Sequence, residues 1–421
     1  MSTAHPRHEI RDLAVGPGEL SFEARLHGRE PQRIWLRTGS EVESYPEAAL
    51  AATLMPAMRS GGTLTMGEAI SPRVLRLQRE FQGIQRAWSR EWVFDDPPLE
   101  EVEVRAPVRP VEPRQPTGRV AVFFSGGVDS WSTVLGEEDV TDLIFVRGLD
   151  ILPRFAHQEG LADRVEERLR EAADALGLQL HSVETNVRDL SEPRGPGYPE
   201  IRWESYYNSC LAAVALFLGP LFDRVLISTG LAYSNMSKIG ASWMVDQLWG
   251  NESLEIADAG GLLGRVARVE RIADHPVVQR SLRVCWHNPD GAYNCGRCRK
   301  CLVTMATLEA IGRLSEFETF PPELGPERLE LLAAQEVQEP LHLDLIEEAQ
   351  AAMKRRVDKP ELARAFEKLV ANGRRRLGRD DGPSEAEREA AATKAKLEEI
   401  LASRSWRITA PLRRLAARGS R

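Results

Sequence analysis

Two short stretches of the chain carry residue types whose spacing can do chemistry. The first is Ser125-Gly126-Gly127-Val128-Asp129-Ser130, directly after the apolar run Val120 to Phe124 and directly before a helical segment. Two glycines at a strand-to-helix turn let backbone N–H groups face an anion, because a Cβ would hold phosphate oxygens away. Ser125 and Ser130 add hydroxyl donors. Asp129 makes sense beside phosphates where Mg²⁺ accompanies them, bound directly or through water. A tight turn with an Asp or Ser cap is the plainer reading. The second stretch is Cys285 followed by Cys295-Gly296-Arg297-Cys298-Arg299-Lys300-Cys301. Four thiolates at this spacing predict a tetrahedral site for Zn²⁺, and a site filled by four cysteines has no position open for water, so its role is structural. An iron–sulfur cluster and four unligated thiols are the alternatives. His287 lies in the same loop, where replacing a cysteine as ligand is one reading and a solvated side chain the plainer one.

The first motif, Ser-Gly-Gly-x-Asp-Ser after the leading strand of a sheet, resembles the pyrophosphate loop of the N-type ATP pyrophosphatases. The resemblance implies ATP bound at Ser125, Gly126, Gly127, Val128, Asp129 and Ser130, and cleavage between its α- and β-phosphates. Catalytic roles then fall to Asp129 and Ser130. Further nucleotide contacts in that family come from the ends of later strands, here Gly148, Asp150, Ser228, Thr229 and Gly230. One departure stands out: Trp131 occupies the place where relatives often carry Ser or Thr. With the cysteine run included, residues 119 to 313 resemble the QueC synthases of 7-cyano-7-deazaguanine. That resemblance implies an adenylating, AMP-forming enzyme. It does not extend to the first hundred residues or to the tail, so the acceptor does not transfer.

The elements that must position these motifs follow from the apolar pattern. Val120 to Phe124, Leu143 to Val146, Leu178 to Val183 and Val225 to Ile227 read as buried strands, with helices near Ser130 to Leu135, Ala156 to Leu176 and Glu204 to Leu218. This alternation predicts an α/β fold with a doubly wound parallel sheet and ligands at the strand carboxyl ends. Ahead of it, residues 1–105 read as a small α+β domain with strands at Leu20 to Leu26, Arg33 to Leu36 and Thr63 to Met66 and a helix from Val74 to Trp88. Pro107, Pro110, Pro113 and Pro116 mark residues 106–118 as a linker. The nucleotide domain spans 119–320, a helical extension 321–378, and a charged to basic helix 385–421.

Candidate substrate contacts cluster at Arg202, Trp203, Glu204, Tyr206, Tyr207 and Asn208, and at Ser234, Asn235, Lys238, Trp243, Asp246 and Trp249. They serve equally as pocket walls or core anchors. Arg202 and Lys238 are the candidates to stabilise charge on the departing pyrophosphate. Cys210, in an almost wholly apolar segment, reads as a buried small hydrophobe and not as a nucleophile. No cysteine follows Met1, where an N-terminal glutaminase would need one, so nitrogen has to come from ammonia, an amine or a partner.

Composition narrows the classes. Among 421 residues, 42% are hydrophobic and 28% charged, with a formal net charge of -8. That is the profile of a folded globular chain, and its acidity argues against general nucleic-acid binding. The start of the sequence lacks the apolar core of a secretion signal, and the cysteines suit a reducing compartment, which together predict a cytoplasmic protein. From Ser403 to Arg421, six arginines alternate with Trp406, Ile408, Leu412 and Leu415 and no acid. A cationic amphipathic segment of this kind predicts peripheral contact with an anionic membrane at its inner face, or docking on a protein. Its wording from Ser403 to Arg413 resembles a C-terminal segment of bacterial surface-polysaccharide glycosyltransferases. The expected function is ATP-dependent adenylation of a carbonyl or carboxylate on a small-molecule or glycan-linked acceptor, followed by attack of ammonia or an amine. A thiolation enzyme with a sulfur-donor protein and a non-catalytic nucleotide-binding scaffold are the alternatives, and oligomerisation is compatible with each.

Overall fold

The computed structural model describes residues 5–90, 98–112, 114–152, 154–192, 201–233, 242–337, 340–353 and 359–379. Lys238, Ser234, Asn235 and the basic tail lie outside the described residues.

The first elements are β1 (Arg7–Gly16), β2 (Glu19–Arg25), β3 (Gln32–Thr38), α1 (Glu47–Met58), β4 (Gly62–Met66), α2 (Pro72–Ser89) and β5 (Val102–Arg105). The alternating half continues with β6 (Val120–Phe123), α3 (Val128–Val134), β7 (Asp142–Arg147), α4 (Leu161–Leu176), β8 (Gln179–Thr185), α5 (Trp203–Leu218), β9 (Arg224–Ser228), α6 (Trp243–Asp246) and β10 (Glu255–Ala259). It closes with α7 (Arg265–Ala273), α8 (Pro276–Ser281), α9 (Arg299–Ala310), α10 (Pro326–Ala333), α11 (Pro340–Met353) and α12 (Pro360–Arg376).

The ten strands among the described residues form one sheet, ordered β10-β9-β6-β7-β8-β3-β2-β1-β4-β5. The strands from β10 to β8 pair in parallel, as expected of strands joined by helical crossovers. Alternation along β6 splits its side chains between two layers. Ala121 and Phe123 join α1 and α5 in one core, whereas Val120 and Val122, with Phe124 just beyond, join α3, α4 and α7 in the other. Helices therefore cover both faces, and the order reverses between β6 and β9, which opens a crevice at their carboxyl ends.

The N-terminal hundred residues do not build a core of their own. β3 pairs antiparallel with β8, with Leu36 opposite Thr185 and Thr38 opposite Val183, so the sheet runs on from one half to the other. The Asn186 side chain extends this joint by accepting from the Trp35 N–H at 2.9 Å. α1 packs against α5, and all twelve of its residues are buried. The proline-rich stretch thus runs over the surface of a shared core and does not separate two cores.

At the amino ends of the parallel strands, Asp142 is clamped by Arg119, by the Thr141 hydroxyl at 2.7 Å and by His181 Nε2 at 2.8 Å. Burial acts to raise the Asp142 pKa, but these hydrogen bonds outweigh it and hold the carboxyl at about 2. The C-terminal helices α10 to α12 form a third cluster with α9 through Leu302, Leu332, Leu343 and Phe366. Among the described residues, no helix is long and apolar enough to cross a membrane.

Candidate functional site

β6 delivers the glycine loop to the crevice. The Phe124 N–H continues the strand by donating to Ile144 O at 2.7 Å, and the chain then turns at Gly126, whose φ of +74° is the left-handed region that glycine enters without strain. A Cβ there would stand 2.9 Å from Leu169 Cδ2. Gly127 takes an extended conformation and caps α3, and Ser130 Oγ donates back to Gly127 O at 3.1 Å. Trp131 is fully buried and meets Phe124 edge to face at 4.8 Å, so the residue directly after the glycine loop is a core anchor. The hydroxyls of Ser132 and Thr133 are buried without hydrogen-bond partners.

Asp129 is not open. Arg265 Nη1 donates to both carboxylate oxygens at 2.9 Å, and Arg268 Nη1 donates to Oδ1 at 2.8 Å. The Arg268 guanidinium, itself buried, also bonds Thr229 O at 2.6 Å and Leu231 O and Gly260 O at 3.0 Å, which locks it to the carboxyl ends of β9 and β10. Burial pushes the Asp129 pKa up, yet the fields of Arg265, Arg268 and Lys300 prevail and hold it below the ordinary carboxylate value. A Mg²⁺ ion bound directly to this carboxylate does not fit, because it would displace or oppose two guanidinium groups. The arrangement suits an anion better: two guanidinium groups hold one carboxylate, and the charge of Lys300 adds to theirs. Arg268 Nε and Arg283 Nε are buried donors with no partner.

The four cysteines converge as the spacing requires. Their Sγ atoms all lie within 4.8 Å of one another, with Cys285 to Cys298 and Cys295 to Cys301 each at 3.9 Å. The edge of a tetrahedron with Zn–S arms of about 2.3 Å is about 3.8 Å, so the cluster fits a metal such as zinc. Backbone N–H groups of Asn288 and Cys298 donate to the sulfurs of Cys285 and Cys295 at 3.2 and 3.3 Å, the bonding that favours thiolates. Hydrogen bonds from the other three thiols pull Cys285 below the ordinary thiol range, while hydrogen bonds to Cys285 and then Cys295 push Cys298 and Cys301 above it. A divalent cation resolves that conflict by taking all four as thiolates. His287 is exposed and stacks edge-on against Trp286, outside the sulfur cluster.

The cluster is tied to the glycine loop. The Arg283 N–H, two residues before Cys285, donates to Gly126 O at 2.8 Å, and Lys300 sits between Cys298 and Cys301 at the start of α9. From the other side, the Glu348 carboxylate of α11 caps α7, accepting from the N–H groups of Arg265 and Val266 at 3.1 and 2.9 Å.

The remaining candidates divide. Gly148 (φ +96°) is fixed by packing, since a Cβ would fall 1.9 Å from Thr185 O. Asp150 is exposed, Gly230 stands in open space, and Ser228 Oγ is buried without a partner. Arg202 begins α5, in the layer opposite α3, and pairs with Glu204 at 3.5 Å. Tyr206 and Trp249 are core anchors: the Tyr206 hydroxyl donates to Ala52 O at 2.6 Å, and Trp249 packs on Phe81 at 5.0 Å. Cys210 is fully buried and its thiol is pushed up by burial. Sequence reasoning missed Arg265 and Arg268, whose only signal was two arginines three apart on an amphipathic helix. The chain matches no protein-family model, no curated protein and no solved structure.

Proposed function

We propose that the chain is an ATP-dependent, AMP- and pyrophosphate-forming enzyme that adenylates a carbonyl or carboxylate oxygen. The observation that carries this reading is the surplus of positive charge at the Ser125 to Ser130 loop. Arg265 and Arg268 converge on the Asp129 carboxylate and the charge of Lys300 adds to theirs, at the reversal point of a parallel sheet where phosphate-bearing ligands bind. In the reaction an acceptor oxygen attacks the α-phosphorus, and pyrophosphate leaves with the bonding electrons. Arg265 and Arg268, already fixed by Asp129, meet the charge that develops without having to reorganise. Gly126 and Gly127 bring the backbone to the phosphates. Zinc at the four cysteines would supply no chemistry beyond structure, holding Arg283 and Lys300 against the loop. Thiolation is the weaker alternative, because the thiol of Cys210 is buried and hard to ionise.

Titration calorimetry with α,β-methylene-ATP tests the reading. Binding at one site per chain is expected, weakened about 100-fold in Arg265→Ala by loss of a charge-assisted contact to phosphate. No binding to the wild-type chain sinks it.

A further inference from the structure

Behind the carboxyl ends of β9 and β10 lies a second polar cluster that the nucleotide reading leaves unused. Asp246 is fully buried. Its Oδ1 accepts from Asn208 Nδ2 and from the Ser242 N–H at 3.3 Å, while its Oδ2 has no partner. The bond to Asp246 fixes the orientation of the Asn208 amide and leaves Asn208 Oδ1 buried and unpartnered as well. Ser242 Oγ is in the same condition. Asp258, on β10, lies close enough for its charge to act on Asp246; one of its oxygens is bonded by the Tyr233 hydroxyl at 3.1 Å, and the other makes no hydrogen bond of good geometry, although the Thr229 hydroxyl acts on this carboxyl.

Buried acceptors left in this state cost free energy unless a donor arrives, and four of them in interacting residues call for a ligand rich in N–H groups and positive in charge. Burial raises the pKa of both carboxyls, Asp258 to about 6, and on Asp258 it outweighs the opposing charge of Arg268. A cavity of about 210 Å³ adjoins the cluster, lined by Asp258, Trp243, Gln247, Glu255 and Arg73. A lone ammonium ion is the size of a water molecule, about 30 Å³, and would leave most of that space unfilled. Trp243, about half exposed, offers an apolar wall for a short carbon chain.

We infer that this cluster receives the ammonium head of a primary alkylamine, and that this amine is the nucleophile that takes the activated acceptor. The inference rests on the adenylation reading for its place in the reaction. Arg268 links the two sites, since it bonds Asp129 and its charge also acts on Asp258. The ammonium passes one proton to the Asp258 carboxylate. The freed nitrogen lone pair forms the C–N bond with the adenylated carbon, the C–O bond to phosphate breaks, and AMP leaves with that electron pair. The second nitrogen proton goes to water as the amide forms.

The test is titration calorimetry of the full-length chain at pH 8 with n-butylammonium chloride, against ammonium chloride and KCl at matched ionic strength. The inference expects n-butylammonium to bind at least about ten-fold more tightly than ammonium or K⁺, and Asp246→Asn and Asp258→Asn each to weaken it about ten-fold. Ser242→Ala, a milder change, is expected to weaken it several-fold and serves where an Asp variant does not fold. Equal binding of the three cations, or n-butylammonium binding untouched by the variants, overturns it. Binding of α,β-methylene-ATP in the same samples separates the two readings. Amine binding without nucleotide binding removes adenylation and keeps the cation site, and the reverse outcome removes the amine site alone.

Discussion

The two polar clusters at the carboxyl edge of the sheet are built from opposite charges. Around the glycine loop, one carboxylate is held by two arginines with a lysine nearby, and its pKa is lowered. Around Asp246 and Asp258, two carboxyls sit with orphaned acceptors and raised pKa values. Burial acts in the same direction on all three acids, so the difference comes wholly from what each acid faces. The contrast teaches that carboxyls at one sheet edge can be held in opposite electrostatic settings side by side. Arg268 stands at their border and acts on both.

The strongest way to break this contrast is to dismantle one side. In Cys298→Ser, metal content measured by atomic emission is expected to fall, and α,β-methylene-ATP binding with it, because Arg283 and Lys300 lose the frame that holds them at the loop. n-Butylammonium binding is expected to survive. Loss of both together would show that the clusters are not separable.

A smaller effect is expected far from the crevice. Asp142→Asn removes a buried carboxylate clamped by Arg119 and His181, and denaturant unfolding should register a loss of about 3–5 kcal/mol. The sign of the pH dependence is fixed by the lowered folded-state value. The contribution of Asp142 is present at neutral pH, begins to fall below about 4, where the unfolded carboxyl takes up its proton, and is gone near 2. Wild-type stability that is flat across that window would contradict the assignment.

The smallest effect sharpens the contrast through pH. Protonation of Asp258 around 6 should weaken n-butylammonium binding several-fold between pH 7.5 and 5.5, whereas Asp129, held low by its arginines, stays ionised there. Calorimetry at the two pH values reads this directly, and n-butylammonium binding equally tight at both would remove Asp258 from the amine site.

What could be read in the sequence was local. The glycine loop and the cysteine run are contiguous or nearly so, and the runs that became β6 to β9 are apolar strands between helices, so pattern alone placed them. The partners of Asp129 were not legible, because Arg265 lies 136 residues away and only folding brings it there. α1 escaped notice because a helix buried on every side has no polar face to mark its period. β1 was hidden by an irregularity between Arg11 and Ala14, where Asp12 adopts φ +49° and breaks the alternation. The prolines near 107–116 looked like a boundary between domains because composition records local stiffness. The pairing of β3 with β8 is a contact between distant segments that composition cannot register.

The measurement that bears most directly on the central claim is the product of ATP turnover. Full-length protein, ATP labelled at the α-phosphate, a small-molecule cell extract as the source of acceptor, and n-butylammonium as the amine would be combined and the nucleotides resolved by chromatography. The account predicts labelled AMP with an equal amount of pyrophosphate, both lost in Arg265→Ala. Labelled ADP as the sole product, or AMP formation unchanged by that substitution, would contradict it.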